Sequence, residues 1–436
     1  NKRDVEKAVN YFLKNNISNI AICFLNSYLN PKHEIEAKKI IKKINNSIKV
    51  SLSSNLIREF REYERTSTTC INAYIQETII NYIDKFIIGF KQRGYKKSFF
   101  INQSAGGLLS AKTAKLKPVS SLMSGPSGGV VATSVFGKIE NLSNLIAFDM
   151  GGTSTDVCVI LENKPKLTAD SVLEGYPVMV PTLDVHSIGA GGGSIAHIDS
   201  VGSLIVGPKS AGAKPGPACY GMGGKNPTVT DANCVLGRVA PSEFMPSGLN
   251  LKHNFALKAI TNKVATPLKI NHIQAAAGII EICNLKMSTA VRSITIERGL
   301  DPSDFTLCAY GGAGPMHACW IAKQLGIPCV LIPIAPGQFS ALGILLSQIR
   351  HDLVRTVPSN LPYKKIESIF LQMQIEAKKL IKEEGVKVKK LSFDYSVDAR
   401  YKGQEFTINV SLKNPKFTKI NIKYFLNNFH QNYEKT

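Results

Sequence analysis

Nine cysteines are spread along the 436 residues without one C-x-x-C pair. That absence excludes zinc-ribbon and thioredoxin-type sites. An odd count with no spacing framework argues for reduced thiols in a cytoplasmic protein. Tryptophan occurs once, and arginine is scarce beside lysine. Acidic side chains number 32 against 53 basic ones, a formal net charge of +21. The lysines are scattered through Ile- and Asn-rich helical stretches such as "AKKIIKKINNSIKV". No basic–aromatic interleaving of the kind that stacks bases accompanies them, so no nucleic-acid partner is predicted. The longest apolar run, "IPCVLIPIAPGQFSALGILLSQ", is broken by prolines, Gln338 and Ser340. It reads as strand, turn and helix, so no membrane span is predicted. Also missing are a Ser–His–Asp arrangement, a nucleophile elbow, zinc-finger spacing and any fixed-period repeat.

What is present is an ordinary globular balance, 44% hydrophobic and 19% charged. The length predicts two or three domains. Residues 1–66 alternate helix and strand, the rhythm of an α/β layer. A long helix is predicted from about Thr66 to Gly89. Glycine density rises from Ser120 to Arg355, where apolar strands alternate with Gly-rich turns. "HIQAAAGIIEICNLKMSTAVRSIT" carries apolar residues at helical spacing and is predicted to pack on a sheet. Beyond about Val357 a Lys-rich stretch gives way to alternating strands in "FDYSVDARYKGQEFTINVSL".

Four stretches could carry chemistry. In "AFDMGGTSTDVCVI" two buried strands flank a turn over residues 151–155, with Asp149 and Asp156 at its shoulders. Gly151 and Gly152 let backbone approach an anion, and the turn amides with Thr153, Ser154 and Thr155 could donate to phosphate oxygens. Asp149 could hold Mg²⁺ through water. The competing reading is a hairpin whose polar residues satisfy local backbone groups, and the hairpin alone leaves both open. In "AYGGAGPMHA", a strand enters Gly311, Gly312 and Gly314, and Pro315 opens a helix whose free amides attract phosphate. In "LDVHSIGAGGGSIAHID", four glycines suggest a loop pressed against a ligand. On a strand, Asp184 and His186 would share a face as a metal or acid/base pair, with His317 the natural third member. In "PTVTDANCVLGRV", Asp231 just before a helix is read first as its N-cap, with substrate or metal binding as the alternative.

Together these stretches resemble the hydantoinase A / 5-oxoprolinase family. The resemblance runs through "FREYERTSTTCINAY", "MSGPSGGVVA", "FDMGGTSTDV", "VHSIGAGGGSIAHID", "VGPKSAGAKPGPACYG", "PTVTDANCVLGR", "ERGLDPSDFTLCAYGGAGPMHA" and "DARYKGQEF". It implies an α/β fold of the actin, sugar-kinase and Hsp70 ATPase group, with the start of a β-rich C-terminal domain. The implied divisions are residues 1–66 as the remainder of an N-terminal domain, 67–356 as the nucleotide-binding core, and 357–436 as the beginning of a further domain. It implies ATP and Mg²⁺ as cofactors, with room for a second divalent metal at His186 and His317. It assigns phosphate to residues 151–155, the nucleotide to Gly311, Gly312 and Gly314, catalysis to Asp149 and Asp156, and the substrate or metal side to Asp184, His186, His317 and Asp231. The implied reaction is hydrolysis of a cyclic amide after phosphoryl activation of its carbonyl, together with a hydantoinase B-like second subunit. The alternatives are the ATP-binding subunit of an acetone- or acetophenone-type carboxylase, and an inactive or split remnant. Two departures from the family pattern stand out. No Asp-x-Gly-Gly-Thr hairpin precedes Asp149, so a chain carrying that hairpin is an expected partner, and Met222 stands where an arginine is expected.

Overall fold

The structure is a computed structural model that describes residues 1–168, 171–239, 250–358, 360–386 and 390–434. The chain divides into two compact units. One comprises Gly125–Leu167 and Leu183–Ser347, the other Asn1–Ser124, Thr168–Thr182 and Gln348–Thr436. Among the described residues no helix is long and apolar enough to cross a membrane.

The first unit is built on a mixed sheet. Helix α1 (Ser127–Ile139) leads into strands β1 (Leu145–Met150), β2 (Thr155–Leu161) and β3 (Val185–Ile188). Helix α2 (His272–Ile294) precedes β4 (Thr306–Tyr310), α3 (Gly314–Leu325), β5 (Cys329–Leu331) and α4 (Phe339–Leu346). The spatial order is β3-β2-β1-β4-β5, with the short strand Lys164–Pro165 also on β2. Strands β1, β4 and β5 are parallel, and β2 runs antiparallel to both β1 and β3.

The central strands are apolar without alternation because both faces of the sheet are covered. Ile146, Phe148, Val157, Val159, Leu307 and Ala309 enter one core, which α2 and α3 also line. Leu145, Ala147, Cys158, Ile160, Cys308 and Tyr310 enter the other, with Val130 and Ala132 of α1 and Phe339 of α4. Each fully buried Leu, Ile or Phe contributes about 1.5–3 kcal/mol, so these two layers hold the unit together. Burial pushes the thiols of Cys158 and Cys308 up to about 12, and both act as small apolar groups.

Helix α2 starts at a capping box in which the Asn271 side chain accepts from the Gln274 amide and the Gln274 side chain accepts from the Asn271 amide. Its buried face runs through Ala276, Ile279, Ile280, Cys283, Met287 and Val291, the helical spacing visible in the sequence. Helices α1 and α4 cross where both have glycine. A Cβ on Gly343 would lie 1.7 Å from the Gly128 carbonyl oxygen, and one on Gly129 would lie 2.2 Å from the Tyr310 ring. Any side chain at these positions would separate the helices or push α1 off the sheet.

In the other unit, helices Lys2–Lys14 and Lys32–Ile44 accompany a parallel pair, Asn19–Ile22 and Lys49–Leu52. The long helix runs Glu62–Gln92, a few residues beyond its predicted bounds at each end. Arg65 on it is fully buried. Its guanidinium donates to the Ser53 hydroxyl (2.7 Å), the Phe24 carbonyl (2.9 Å), the Ser27 hydroxyl and the Glu62 carboxylate. Later in the chain, helix Tyr363–Glu383 precedes an antiparallel pair, Tyr395–Ala399 with Ile408–Leu412.

Candidate active site

The candidate site lies where the β1–β2 hairpin turns. Register pairs Asp149 directly with Asp156, and Tyr310 of β4 with Asp149. Residues alternate faces along a strand, so Asp149, Asp156 and Tyr310 share the α1/α4 side of the sheet. Both carboxyl groups are half-buried. Burial and then the facing Asp156 charge push the Asp149 carboxyl up to about 6, and burial likewise raises Asp156. The only hydrogen bond to Asp149 among the described residues comes from the Ser340 hydroxyl, at 3.2 Å. Ser187 of β3 donates to Asp156.

The turn itself is four residues long. The Gly151 amide donates to the Ser154 carbonyl at 3.1 Å. Among the described residues no acceptor takes the amides of Gly152, Thr153 or Ser154, and Gly152 and Thr153 are exposed. Three successive N–H groups without an internal acceptor are available to an anion. Beside them Gly311, at φ +81°, passes so close that a Cβ would lie 2.4 Å from Asp149 Oδ1. The Ala313 amide donates to the Met150 carbonyl at 3.0 Å, which fixes the start of α3 against the end of β1. That start has no side-chain cap, and its Pro315 has no N–H to satisfy. Its dipole therefore faces the hairpin unneutralised.

Several predicted residues stand elsewhere. Thr155 belongs to β2, not the turn, and points to the opposite face, where its hydroxyl donates to the Ala190 carbonyl at 2.6 Å. That hydroxyl is unavailable to phosphate. The glycine loop after β3 presses on the hairpin. The amides of Gly192 and Gly193 donate to the carbonyls of Gly151 (3.0 Å) and Gly152 (2.6 Å), and a Cβ on Gly191 would lie 2.6 Å from the Thr153 nitrogen. This loop holds the turn in shape.

Asp184 lies before β3, ion-paired with Arg298 and 4.0 Å from Lys166, while His186 sits half-buried on β3 opposite Val157. His317 is fully buried, its Nδ1 2.6 Å from Asn284 Oδ1 and its Nε2 3.4 Å from Asn233 Nδ2. Burial, then Arg238, pushes its pKa down to about 4, so it stays neutral and ties α3 to α2. Both ring nitrogens are occupied, which removes it as the third member of a metal triad. Among the described residues no group of three or more His, Cys, Asp or Glu is placed to hold a metal. Asp231 is fully buried and accepts from the amides of Ala218, Cys219 and Thr228 and from the Thr228 hydroxyl, at 2.7–3.1 Å. It is not the N-cap, which is Thr228, but the third helical residue, where it completes the capping box and cannot reach a substrate.

The residues missed from sequence are Ser340 and Ser187. Ser340 had one visible sign, a lone hydroxyl three residues before Gly343 in an apolar run, hence on the same helix face.

Comparison with known proteins identifies the family. Residues 65–353 match the family model for hydantoinase/oxoprolinase, and residues 1–45 match its N-terminal region. An uncharacterised protein of Methanocaldococcus jannaschii is 38% identical over all of this chain and 64% of its own length. Caprolactamase subunit alpha of Pseudomonas jessenii is 35% identical over 99% of this chain and 63% of its own. The crystal structure of the ATP-dependent caprolactamase from that organism superposes with a TM-score of 0.87 at 34% identity, over 99% of this chain and 63% of that one. The acetophenone carboxylase gamma subunit of Aromatoleum aromaticum is 33% identical over 92% of this chain and 57% of its own. The chain thus spans about 60% of the length of the relatives it matches. It is a mixed α/β protein whose carboxylate hairpin, bracing glycine loop and open helix start occur within the matched core, and it belongs to the hydantoinase/oxoprolinase family.

Proposed function

We propose that this chain is the nucleotide-handling part of an enzyme that opens a cyclic amide at the expense of ATP, on an actin-like ATPase fold. The observation that carries this reading is the row of unpaired amides at Gly152, Thr153 and Ser154 beside Asp149 and Asp156. The relative named an ATP-dependent caprolactamase supports it.

A lactam carbonyl is a poor electrophile because nitrogen donation stabilises it. Transfer of the γ-phosphoryl group from ATP to the carbonyl oxygen, with ADP leaving, makes the ring carbon electrophilic. Water adds to it, the C–N bond breaks as the nitrogen takes up a proton, and the acyl phosphate so formed is hydrolysed to carboxylate and phosphate. The protein's share is positioning and charge neutralisation. The hairpin amides hold phosphate oxygens, and Gly312 with the start of α3 faces the nucleotide. Two facing carboxylates, with oxygen donors only and no basic partner among the described residues, fit Mg²⁺ held directly or through water. Mg²⁺ there would neutralise phosphate charge. Asp149 would hold it, with Asp156 as its neighbour and Ser340 fixing the Asp149 rotamer. His186, half-buried on β3, is the remaining candidate for the substrate side. A second subunit completes the enzyme, in line with the names of the caprolactamase and carboxylase relatives.

The test is calorimetric titration with Mg·ATP, followed by ATP hydrolysis with lactams or with ketone plus bicarbonate. Binding that is lost in Asp149→Asn, with turnover stimulated by a lactam, is the expected result. Stimulation only by ketone and bicarbonate would move the chain to the carboxylases. Binding unaffected by Asp149→Asn would remove the hairpin from the mechanism.

A further inference from the structure

Outside the hairpin, four segments of the other compact unit converge on a group of cations. The Thr356 amide donates to the Arg58 carbonyl at 3.2 Å, and the Phe60 amide donates to the Thr356 hydroxyl at 3.1 Å. These bonds lay residues 58–60 against residue 356. The Lys117 amide donates to the Thr113 carbonyl at 3.0 Å and the Thr113 hydroxyl donates to Glu384 at 2.8 Å, which lays the turn at Lys117 beside the end of helix Tyr363–Glu383. Helix Tyr363–Glu383 closes the group, with Glu376 paired to Arg355. Arg58, Lys117 and Arg355 are all half-buried, and Glu376 is the carboxylate that faces them.

We propose that Arg58, Lys117 and Arg355 form a binding site for one small oxyanion group, a carboxylate or a phosphate, for which Glu376 is the internal competitor.

Three cations partly withdrawn from water repel one another, and one carboxylate cannot neutralise them. Two acids nearby are committed elsewhere. Asp352 is held by Arg350 at 2.7 Å, and Glu384 lies 2.8 Å from His351 and accepts from Ser110 and Thr113. The donors suit an oxyanion. Arg58 spends its Nε on the Ser54 carbonyl at 3.2 Å, which leaves its terminal amino groups, and Arg355 spends one amino group on the Val354 carbonyl at 2.7 Å. No acceptor among the described residues bonds the Lys117 ammonium. Glu376 is 43% exposed and can turn outward when an anion arrives. Burial pushes the Lys117 ammonium below its usual range; Glu376 opposes this, and Arg355 and Arg58 add to it. A bound anion would relieve that penalty. Lysines that remain fully exposed would show only salt-screened attraction.

Calorimetry and thermal melting of the full chain with inorganic phosphate, and separately with succinate, test the site without ATP. Wild type should bind at least one of them, and Lys117→Met should weaken binding tenfold or more. Glu376→Gln should tighten binding about threefold or more. Thr153→Pro, which removes one hairpin amide, should leave succinate binding and the Lys117-dependent part of phosphate binding in place, whatever phosphate the hairpin itself takes. Lys117→Met alone should melt no lower than wild type, because it removes a penalised charge, but it should lose the anion-induced rise. Tighter binding of phosphate than succinate assigns the site to phosphate, and the reverse order to a carboxylate. Loss in Thr153→Pro with full binding in Lys117→Met would place the anion at the hairpin and overturn the proposal. So would binding too weak to detect at millimolar anion in both wild type and Glu376→Gln.

Discussion

Asp149 and Asp231 are both withdrawn from water in the same compact unit, both beside Gly-rich turns, yet their surroundings are opposite. Asp231 accepts four hydrogen bonds and is fully covered. Asp149 has one, faces a second carboxylate, and keeps part of its surface open. A carboxylate whose lone pairs are filled by backbone amides is a fastener. One that is desolvated, like-charged with its neighbour and under-bonded is held at a cost in stability, and that pattern accompanies functional sites.

The contrast can be broken from either side. The largest expected effect is on turnover in Asp149→Asn. Mg·ATP-dependent hydrolysis should fall by about two to three orders of magnitude, while the variant should gain about 1–2 kcal/mol of stability at pH 8 because a like-charged buried group becomes neutral. Urea unfolding beside a steady-state ATPase assay measures both, and a loss of stability there would mean Asp149 is a fastener too. Asp231→Asn should do the reverse: it trades a filled carboxylate for an amide that brings its own donors into a site of donors. A loss of roughly 3 kcal/mol is expected, read from the shift in the urea midpoint.

Third comes His317. Its folded pKa is about 4 against 6.5 unfolded. The stability of the neutral form is therefore fully present above pH 6.5 and lost as pH falls toward 4, by up to about 3 kcal/mol. His317→Gln should flatten that slope of stability against pH, and an unchanged slope would assign it to other groups. The smallest effect belongs to Ser340→Ala, about threefold to tenfold in turnover and less than about 1 kcal/mol in stability. A full loss of activity there would promote Ser340 from positioning Asp149 to contacting the nucleotide.

Much of the fold was legible. The apolar spacing of residues 272–294 predicts a helix packed on a sheet, and the continuous runs 144–148 and 157–161 predict buried strands, as found. The hairpin and its two aspartates were legible too, because strand, turn and strand are local. What the glycines do was not. A run such as Gly191–Gly192–Gly193 says that something comes close, without saying whether it is a ligand or the carbonyls of Gly151 and Gly152. The role of Asp231 depends on Ala218 and Cys219, that of His317 on Asn284 and Asn233, and the bond from Ser340 to Asp149 spans 191 positions. Composition and spacing carry no information about such meetings until the sheet brings them about.

The alternation of faces along β2 makes its register against β1 all-or-none for the site. Asp156 reaches Asp149 because Met150 pairs with Thr155 across the turn. A slip of β2 by one residue would turn Asp156 into the core that holds Val157 and bring Thr155 out in its place. Length changes confined to residues 151–154 should therefore keep the two aspartates together, because the turn can absorb them, whereas a single deletion within β2 should separate them.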